Sequence, residues 1–241
     1  MQSFIDYSDI IFDAFCLHSK TKDIVDRKQE ILTKIQEHYN QGASTILFVG
    51  FNPAILACPV EQIYVAEVSD RVIAWLQEQN KKVTLFKNEP MKFDIVVAFD
   101  EYLTFADTEE QQKYLVDNLC NLSTGLVVTT VKDYKNQEFK DREYSQPAII
   151  KANSKMTAFT EIHDWDQADK NSWSTMVYEL QGTDTKCHGV YRRRALYFKQ
   201  LAKFTLDKGA AGFLVHKNLM YKSLIKKNYE HVISIHFENY S

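Results

Sequence analysis

The sequence predicts an α/β fold in which helices cover both faces of a mostly parallel sheet. Two observations lead to this expectation. In the first half of the chain, short apolar runs alternate with segments whose apolar residues recur at helical spacing. The runs are apolar at nearly every position, as is typical of strands buried on both faces of a parallel sheet. Strands that alternate with helices in this way indicate a three-layer sandwich.

The elements of the first half can be assigned from this pattern. Gly42 ends the first long amphipathic helix, Ser69 or Asp70 caps the second, and Thr108 caps the third with a loose capping box. The predicted strands are 45–49, 62–67, 83–86, 93–99 and 125–131, and the predicted helices are 22–39, 69–79 and 108–122.

The second half is less regular. Two alternating segments, 158–164 and 173–181, predict a hairpin, and the apolar run 231–237 predicts a closing strand. The expected helices are a short one at 148–155 and two basic ones at 191–208 and 213–227. With 241 residues, we expect a single domain. Its expected parts are an N-terminal helical cap at 1–40, a cofactor-binding half at 41–136 and a substrate-side half with basic helices at 137–241.

Charge is distributed unevenly along the chain. Residues 1–185 contain 18 Lys and Arg against 29 Asp and Glu, whereas residues 186–241 contain 11 against 3. Such asymmetry has two interpretations: a basic helix face packed on an acidic body, or a surface for an anionic partner such as nucleic acid. Basic residues around Arg192, Arg193 and Arg194, interleaved with tyrosines, keep the second interpretation open.

Location and partners can be inferred only coarsely. The four cysteines are widely spaced and form no CxxC pair, which is typical of reduced thiols. No secretory leader is in view, and no apolar stretch approaches the roughly 20 residues that span a membrane. We therefore expect a cytoplasmic protein without a membrane partner, and a homodimer is possible.

Polar or turn-forming residues follow four of the predicted strands. Gly50 follows the first strand, Glu67 ends the second, Asp100 follows the fourth and Lys132 the fifth. Ligands of parallel sheets bind beyond the carboxyl ends of the strands, where these four residues converge. A glycine lets the backbone approach a ligand, and a carboxylate accepts hydrogen bonds from ribose hydroxyls.

These residues resemble the motifs of class I S-adenosylmethionine-dependent methyltransferases over about residues 40–135. The segment 46–54 resembles the family's first motif, and the strand that ends at Glu67 resembles its second. Only the first glycine of the usual GxGxG is kept, because Asn52 and Ala54 stand at the other two positions. Asparagine tolerates positive φ and alanine is small, so the turn can form. The resemblance implies a roughly seven-stranded sheet with an antiparallel C-terminal strand.

The resemblance also implies a site for S-adenosylmethionine, with S-adenosylhomocysteine as the product. Glu67 would bind the ribose, and Asp100 would lie near the sulfonium or act as a base. Tyr102 and Lys132 would complete the catalytic side. The residues expected to bind the cofactor are Val49, Gly50, Phe51, Asn52, Glu67, Val68, Asn88, Phe99 and Asp100.

Other interpretations remain open at this point. The chain can be a non-catalytic binding or assembly module that kept the fold and lost the pocket, or a different Rossmann-like nucleotide enzyme. Asp100, Lys132 and Glu179 resemble part of the Lys-Asp-Lys-Glu set of RNA 2′-O-methyltransferases. The run His163-Asp164-Trp165-Asp166 contains metal-ligand types, but it lacks a second motif with diagnostic spacing, so we expect a hydrogen-bonded loop and no metal.

Overall fold

Helices and strands alternate through the first half of the chain and strands dominate the second. The structure, a computed structural model, describes residues 3–17, 22–79, 82–87, 89–132, 134, 141–144, 148–152, 155–222 and 227–237. The helices are α1 Phe4–Leu17, α2 Lys22–Tyr39, α3 Asp70–Glu78, α4 Asp100–Leu103, α5 Glu109–Leu122 and α6 Phe198–Leu206. The strands are β1 Thr45–Val49, β2 Gln62–Ala66, β3 Val83–Leu85, β4 Phe93–Ala98, β5 Ser123–Lys132, β6 Arg142–Tyr144, β7 Ala148–Ala152, β8 Lys155–Trp165, β9 Ser172–Gln181, β10 Asp184–Arg194, β11 Ala210–Lys222 and β12 Lys227–Phe237.

The first sheet contains seven strands in the order β3-β2-β1-β4-β5-β12-β11. The five strands from β3 to β5 pair in parallel. Strand β12 is antiparallel to both of its neighbours, β5 and β11. The predicted fold class, with its antiparallel C-terminal strand, is therefore confirmed.

Both faces of this sheet are covered by helices. Ile46 and Phe48 of β1 belong to one buried cluster together with side chains of α2 and α3. Leu47 and Val49 of the same strand belong to a second cluster together with side chains of α5 and α6. Because successive residues of a strand point to opposite faces, a strand buried on both sides must be apolar at every position. This is why the run 45–49 contains no charged residue.

Two predicted signals mark helix ends in the structure. Thr108 is the N-cap of α5, and its hydroxyl accepts a hydrogen bond from the Gln111 N–H at 3.2 Å. Gly42, with φ +102°, follows α2, and its N–H donates to the carbonyl of Tyr39. Both interactions satisfy backbone groups that the ends of a helix leave without intrahelical partners.

A second, antiparallel sheet is inserted in the chain between β5 and α6. Its order is β10-β9-β8-β6, and β7 also pairs with β8. The hairpin predicted for 158–164 and 173–181 is confirmed as β8 and β9. The closing strand predicted at 231–237 is confirmed within β12.

Two helix predictions were wrong, and a third was right only in part. Residues 148–152 form strand β7, and residues 210–222 form strand β11, so the helix predicted at 213–227 is a strand as far as the structure describes it. The helix predicted at 191–208 is real only from Phe198, because Arg192–Arg194 complete strand β10. Long-range pairing with β8, β9 and β12 overrides the local helical spacing. No helix in the described ranges is both long enough and apolar enough to cross a membrane.

Candidate functional site

The glycine turn after β1 has the backbone geometry that the sequence predicts. Gly50 has φ +82°, a conformation that residues with a Cβ rarely adopt. Its N–H donates to the carbonyl of Ala66, at the end of β2, at 2.9 Å. Cε1 of Phe4 lies 3.0 Å from the position that a Cβ would take on Gly50. Both the conformation and the close approach of Phe4 therefore require glycine here.

Asn52 shapes the next part of this turn. It is only 2% exposed, and its Oδ1 accepts from the N–H of Ala54 at 2.8 Å. The interaction caps the short 3-10 helix Pro53–Ala57. The Nδ2 donor of Asn52 is buried and has no hydrogen-bond partner among the described residues. One amide donor is therefore left beside the turn.

Glu67 follows β2 at the same edge of the sheet. Its φ of +57° lies in the left-handed region, which costs a residue with a side chain about 1–2 kcal/mol. The side chain is half-buried, and burial raises the pKa of its carboxyl above the usual value. Within the described part of the chain it makes no hydrogen bond or ion pair. A partly desolvated carboxylate without a donor is suited to accept hydrogen bonds from a ligand.

Tyr102 lies in α4, close to Glu67 and to the glycine turn. Its side chain is buried, and its ring packs edge-on against Phe4 with centroids 5.1 Å apart. Burial, and next the charge of Glu67, raise the pKa of Tyr102 far above its usual value. The phenol is therefore neutral at physiological pH, so it can donate a hydrogen bond but is a poor base.

Helix α1 covers the glycine turn. Besides the Phe4 contact with Gly50, Ser8 Oγ accepts from the Phe51 N–H at 2.8 Å in a buried position. On the far side, Arg71 of α3 forms ion pairs with Asp9 and Asp13. These contacts fix α1 across the carboxyl edge of the sheet, from the glycine turn to α3.

The remaining predicted cofactor residues lie mostly in the core. Val49, Phe51 and Val68 are buried, and Phe99 packs against the same core. Asp100 is the first residue of α4, which places its backbone at the same edge. Asn88 lies outside the described residues. The structure thus brings Gly50, Phe51, Asn52, Glu67 and Tyr102 together at one edge of the sheet, and their roles stay predictions.

Lys132 lies at the end of β5, where it faces the second sheet. Its positive charge lowers the pKa of His163, which belongs to β8. Glu179, which the sequence grouped with Lys132 and Asp100, instead pairs with His188 at 2.8 Å. Lys132 therefore lies near His163 of the second sheet, and its catalytic role stays a prediction.

The sequence interpretation missed five residues of this region: Phe4, Tyr7 and Ser8 of α1, and Glu161 and His163 of β8. The first nineteen residues predict only short helices, and nothing local to them indicates contact with a turn more than forty residues away. Glu161 was not singled out, and His163 was considered only as a metal ligand. The sequence feature that could have indicated Glu161 and His163 is the alternation of residues along β8, which places both side chains on one face of the second sheet.

The run 163–169 covers the end of β8 and the segment that follows it. Its aspartates form separate ion pairs with arginines of neighbouring strands: Asp164 with Arg142, Asp166 with Arg192, and Asp169 with Arg194. Within the described ranges, no group of three or more His, Cys, Asp or Glu side chains is placed to hold a metal ion.

The three arginines 192–194 do not form a basic helix face, so that prediction was wrong. Arg193 is 3% exposed, and its Nε donates to Thr104 Oγ1 at 3.0 Å. Its guanidinium also lies over the rings of Tyr7 and Trp173. Arg192 and Arg194 pair with aspartates. Arg193 therefore packs the second sheet against α1 and the end of α4, whereas Arg192 and Arg194 bind the segment between β8 and β9.

Comparison with solved structures identifies the fold. CalS10, described as an amino pentose methyltransferase from Micromonospora echinaspora and solved with bound SAM, superposes with a TM-score of 0.65 at 10% identity over 94% of this chain and 96% of its own. The CcbJ methyltransferase from Streptomyces caelestis gives 0.64 at 13% identity, over 96% and 97% of the two chains. The sugar N-methyltransferase KedS8 from Streptoalloteichus gives 0.62 at 10% identity, over 92% of both chains. No family model matches the sequence, and no curated protein matches it.

The chain therefore has the fold of class I S-adenosylmethionine-dependent methyltransferases, over nearly its whole length. The likeness includes the second sheet, because the coverage extends over more than nine-tenths of each of these chains. At such low identity the likeness establishes the fold and leaves the activity to be argued from the site.

Proposed function

We propose that this protein transfers a methyl group from S-adenosylmethionine to a small-molecule acceptor. The observation that carries the proposal is the half-buried carboxylate of Glu67, which has no donor among the described residues and lies beside the Gly50 turn at the carboxyl edge of the sheet. Folds of this type bind nucleoside ligands at that edge. When bound, the cofactor supplies an electrophilic methyl group on a sulfonium.

The residues present fit this cofactor at the ribose end. The carboxylate of Glu67 accepts hydrogen bonds and has none to accept, which matches a ribose diol. Holding a charged carboxylate partly out of water costs free energy, as does the positive φ of Glu67. Both costs are typical of a residue whose position serves a ligand. The Nδ2 donor of Asn52, buried beside the turn without a hydrogen-bond partner among the described residues, is a second polar group there.

At the glycine turn, α1 takes part in the site. Phe4 covers Gly50, and the Phe51 N–H is engaged by Ser8. A ligand that contacts this turn must therefore displace α1 or bind against it. We infer that α1 closes the cofactor site, and that cofactor binding changes its contacts with Gly50 and Phe51.

A small acceptor bearing an amine is favoured over nucleic acid. CalS10 is described as an amino pentose methyltransferase and KedS8 as a sugar N-methyltransferase, and the second sheet of this chain places a carboxylate beside α1. Of the basic helices that supported nucleic-acid binding, only α6 is present in the described ranges. Residues 192–194 and 210–222 belong to strands, and Arg193 is buried.

Isothermal titration calorimetry with S-adenosylmethionine and S-adenosylhomocysteine tests the proposal. We expect saturable binding of both, with a Kd well below about 1 mM. We also expect release of S-adenosylhomocysteine when the protein is supplied with S-adenosylmethionine and a panel of amines that includes amino sugars. No binding of either compound at about 1 mM would overturn the proposal.

A second candidate is a non-catalytic module that kept the fold. The observation in its favour is the closure of the glycine turn by Phe4 and Ser8, because a turn filled by the chain itself needs no ligand for stability. That candidate predicts no cofactor binding in the same titration, so the two functions give opposite results. A cytoplasmic location and a homodimer stay predictions from the sequence.

A further inference from the structure

One face of the second sheet carries a carboxylate and an imidazole next to the site covered by α1. Glu161, His163 and Trp165 alternate along β8 and therefore share a face. Thr175 of β9 lies directly across from His163 in the strand register, and Trp173 lies across from Trp165. Arg193 of β10 lies across from Trp173 and contacts both Tyr7 of α1 and Thr104, the residue that follows α4. This face therefore packs toward α1 and the end of α4.

The imidazole of His163 is held in a defined orientation. Its Nδ1 lies 3.0 Å from Thr175 Oγ1, and that oxygen accepts a hydrogen bond from Trp173 Nε1, also at 3.0 Å. The hydroxyl hydrogen of Thr175 is then available to His163 Nδ1, which places the ring proton on Nε2. Nε2 faces Glu161 Oε2 at 3.5 Å. The arrangement is a carboxylate backed by an oriented imidazole.

Helix α1 connects this pair to the glycine turn. The hydroxyl of Tyr7 donates to Glu161 Oε1 at 3.1 Å. Phe4, one turn earlier on the same helix, covers Gly50, and the rings of Phe4 and Tyr7 are 6.2 Å apart. Displacement of α1 therefore uncovers Gly50 and removes the Tyr7 hydroxyl from Glu161 in one motion.

The surroundings of His163 hold its pKa below the usual value. Burial lowers its pKa most, Glu161 of its own strand raises it, Lys132 of β5 and Arg193 of β10 lower it, and Glu143 of β6 raises it. From α1, the group that faces the pair is the Tyr7 hydroxyl. The net shift is downward, so the ring stays neutral and its Nε2–H faces the Glu161 carboxylate.

We propose that Glu161, backed by His163, accepts the proton that an amine acceptor loses when it is methylated. This inference rests on the proposed methyl transfer. The lone pair of the amine nitrogen forms the new bond to the methyl carbon, the carbon–sulfur bond breaks, and its electron pair stays on sulfur. The extra proton on nitrogen passes to the Glu161 carboxylate, which the Nε2–H of His163 faces. While α1 covers the glycine turn, the Tyr7 hydroxyl occupies the position that the N–H of the acceptor takes after α1 has moved.

Four full-length proteins test this inference: the wild type, Glu161→Gln, Tyr7→Phe and the control Glu179→Gln. Glu179 is a matched control because it is also a carboxylate beside a histidine, His188, on the same sheet. The probe is the panel of amines and amino sugars, with S-adenosylhomocysteine release measured from pH 6 to 9. Calorimetry with S-adenosylhomocysteine is run on every variant.

Glu161→Gln is expected to lower kcat by about 100-fold at neutral pH. Its S-adenosylhomocysteine affinity should stay within about twofold of the wild type, a free-energy change below about 0.5 kcal/mol. Glu179→Gln should keep kcat within about threefold, and Tyr7→Phe should lower kcat less than Glu161→Gln does.

If Glu161 had a purely structural role, Tyr7→Phe should lower kcat more than Glu161→Gln does. The amide oxygen introduced by Glu161→Gln can still accept from the Tyr7 hydroxyl, so a structural contact survives in that variant and is lost in Tyr7→Phe. A Glu161→Gln protein that binds S-adenosylhomocysteine and keeps wild-type kcat across the pH range overturns the inference. A wild type that binds S-adenosylhomocysteine and methylates no amine also overturns it, whereas no binding at all overturns the proposed function instead.

Discussion

Replacing Gly50 with alanine tests how tightly α1 is held on the glycine turn. The substitution carries two penalties. A residue with a side chain at φ +82° costs about 1–2 kcal/mol, and a Cβ 3.0 Å from the buried Phe4 ring adds an overpacking cost of about 1–3 kcal/mol. We therefore expect Gly50→Ala to lower the free energy of unfolding by about 2–5 kcal/mol.

Gly182→Ala is the matched control. Gly182 has φ +61° in the turn between β9 and β10, and nothing lies within 4 Å of a Cβ added there. Gly182→Ala should therefore lower the free energy of unfolding only by the backbone penalty of about 1–2 kcal/mol. Urea denaturation followed by circular dichroism measures both differences at an unchanged m-value.

Removing the Phe4 ring isolates the contribution of its contact with residue 50. In a Phe4→Ala background, the cost of Gly50→Ala should fall to that of Gly182→Ala, because the Cβ then has room. Equal costs for Gly50→Ala and Gly182→Ala in the wild-type background would refute the reasoning, since they would mean that Phe4 does not press on the turn.

Three further predictions concern the scaffold. Burial alone would raise the pKa of Asp94, but hydrogen bonds from the backbone and hydroxyls of Ser44 and Thr45 hold it below its usual value. Asp94 therefore stabilises the fold above pH about 4, and that contribution is lost as the pH falls through the folded-state pKa. Asp94→Asn should lower the free energy of unfolding by about 1–2 kcal/mol at pH 7 and flatten the acid limb of a stability–pH curve. Thr108→Ala should cost about 1 kcal/mol in a urea titration, since it removes the N-cap of α5. Arg193→Ala should cost about 2–4 kcal/mol, because it removes the bonds to Thr104 Oγ1 and the contacts with Tyr7 and Trp173.

Each of these has a control or a contradicting outcome. Asp107 precedes the cap and provides no capping side chain, so Asp107→Ala should change stability by less than about 0.5 kcal/mol. Arg192 is exposed on the opposite face of β10, so Arg192→Ala should likewise change stability by less than about 0.5 kcal/mol. An unchanged acid limb in Asp94→Asn would show that its hydrogen bonds do not bias the carboxylate.

The first sheet could be predicted because its signal is local. A strand covered on both faces must be apolar throughout, and residues 45–49 and 93–98 are buried in that way. The glycine turn and Glu67 could be placed because the carboxyl ends of adjacent parallel strands meet at one edge.

The second half was predicted less well because its structure depends on pairing between distant residues. The basic residues at 192–194 follow a period of two, in which Arg193 is buried between neighbours that pair with aspartates. A helical interpretation fitted the sequence equally well until the pairing with β9 was known. The cover by α1 and the Glu161–His163 pair depend on contacts across forty and more residues, which no local pattern reveals.

Titration of S-adenosylhomocysteine into the wild type and Glu67→Gln tests the central claim most directly. Glu67→Gln keeps the size of the side chain and loses its charge, so the free energy of unfolding should change little. We expect saturable binding to the wild type and binding weaker by about tenfold or more to the variant, because hydrogen bonds to a charged acceptor contribute about 1.5–3 kcal/mol. Equal affinity in the two proteins, or no binding to the wild type, would contradict the assignment of Glu67 and of the carboxyl edge as a cofactor site.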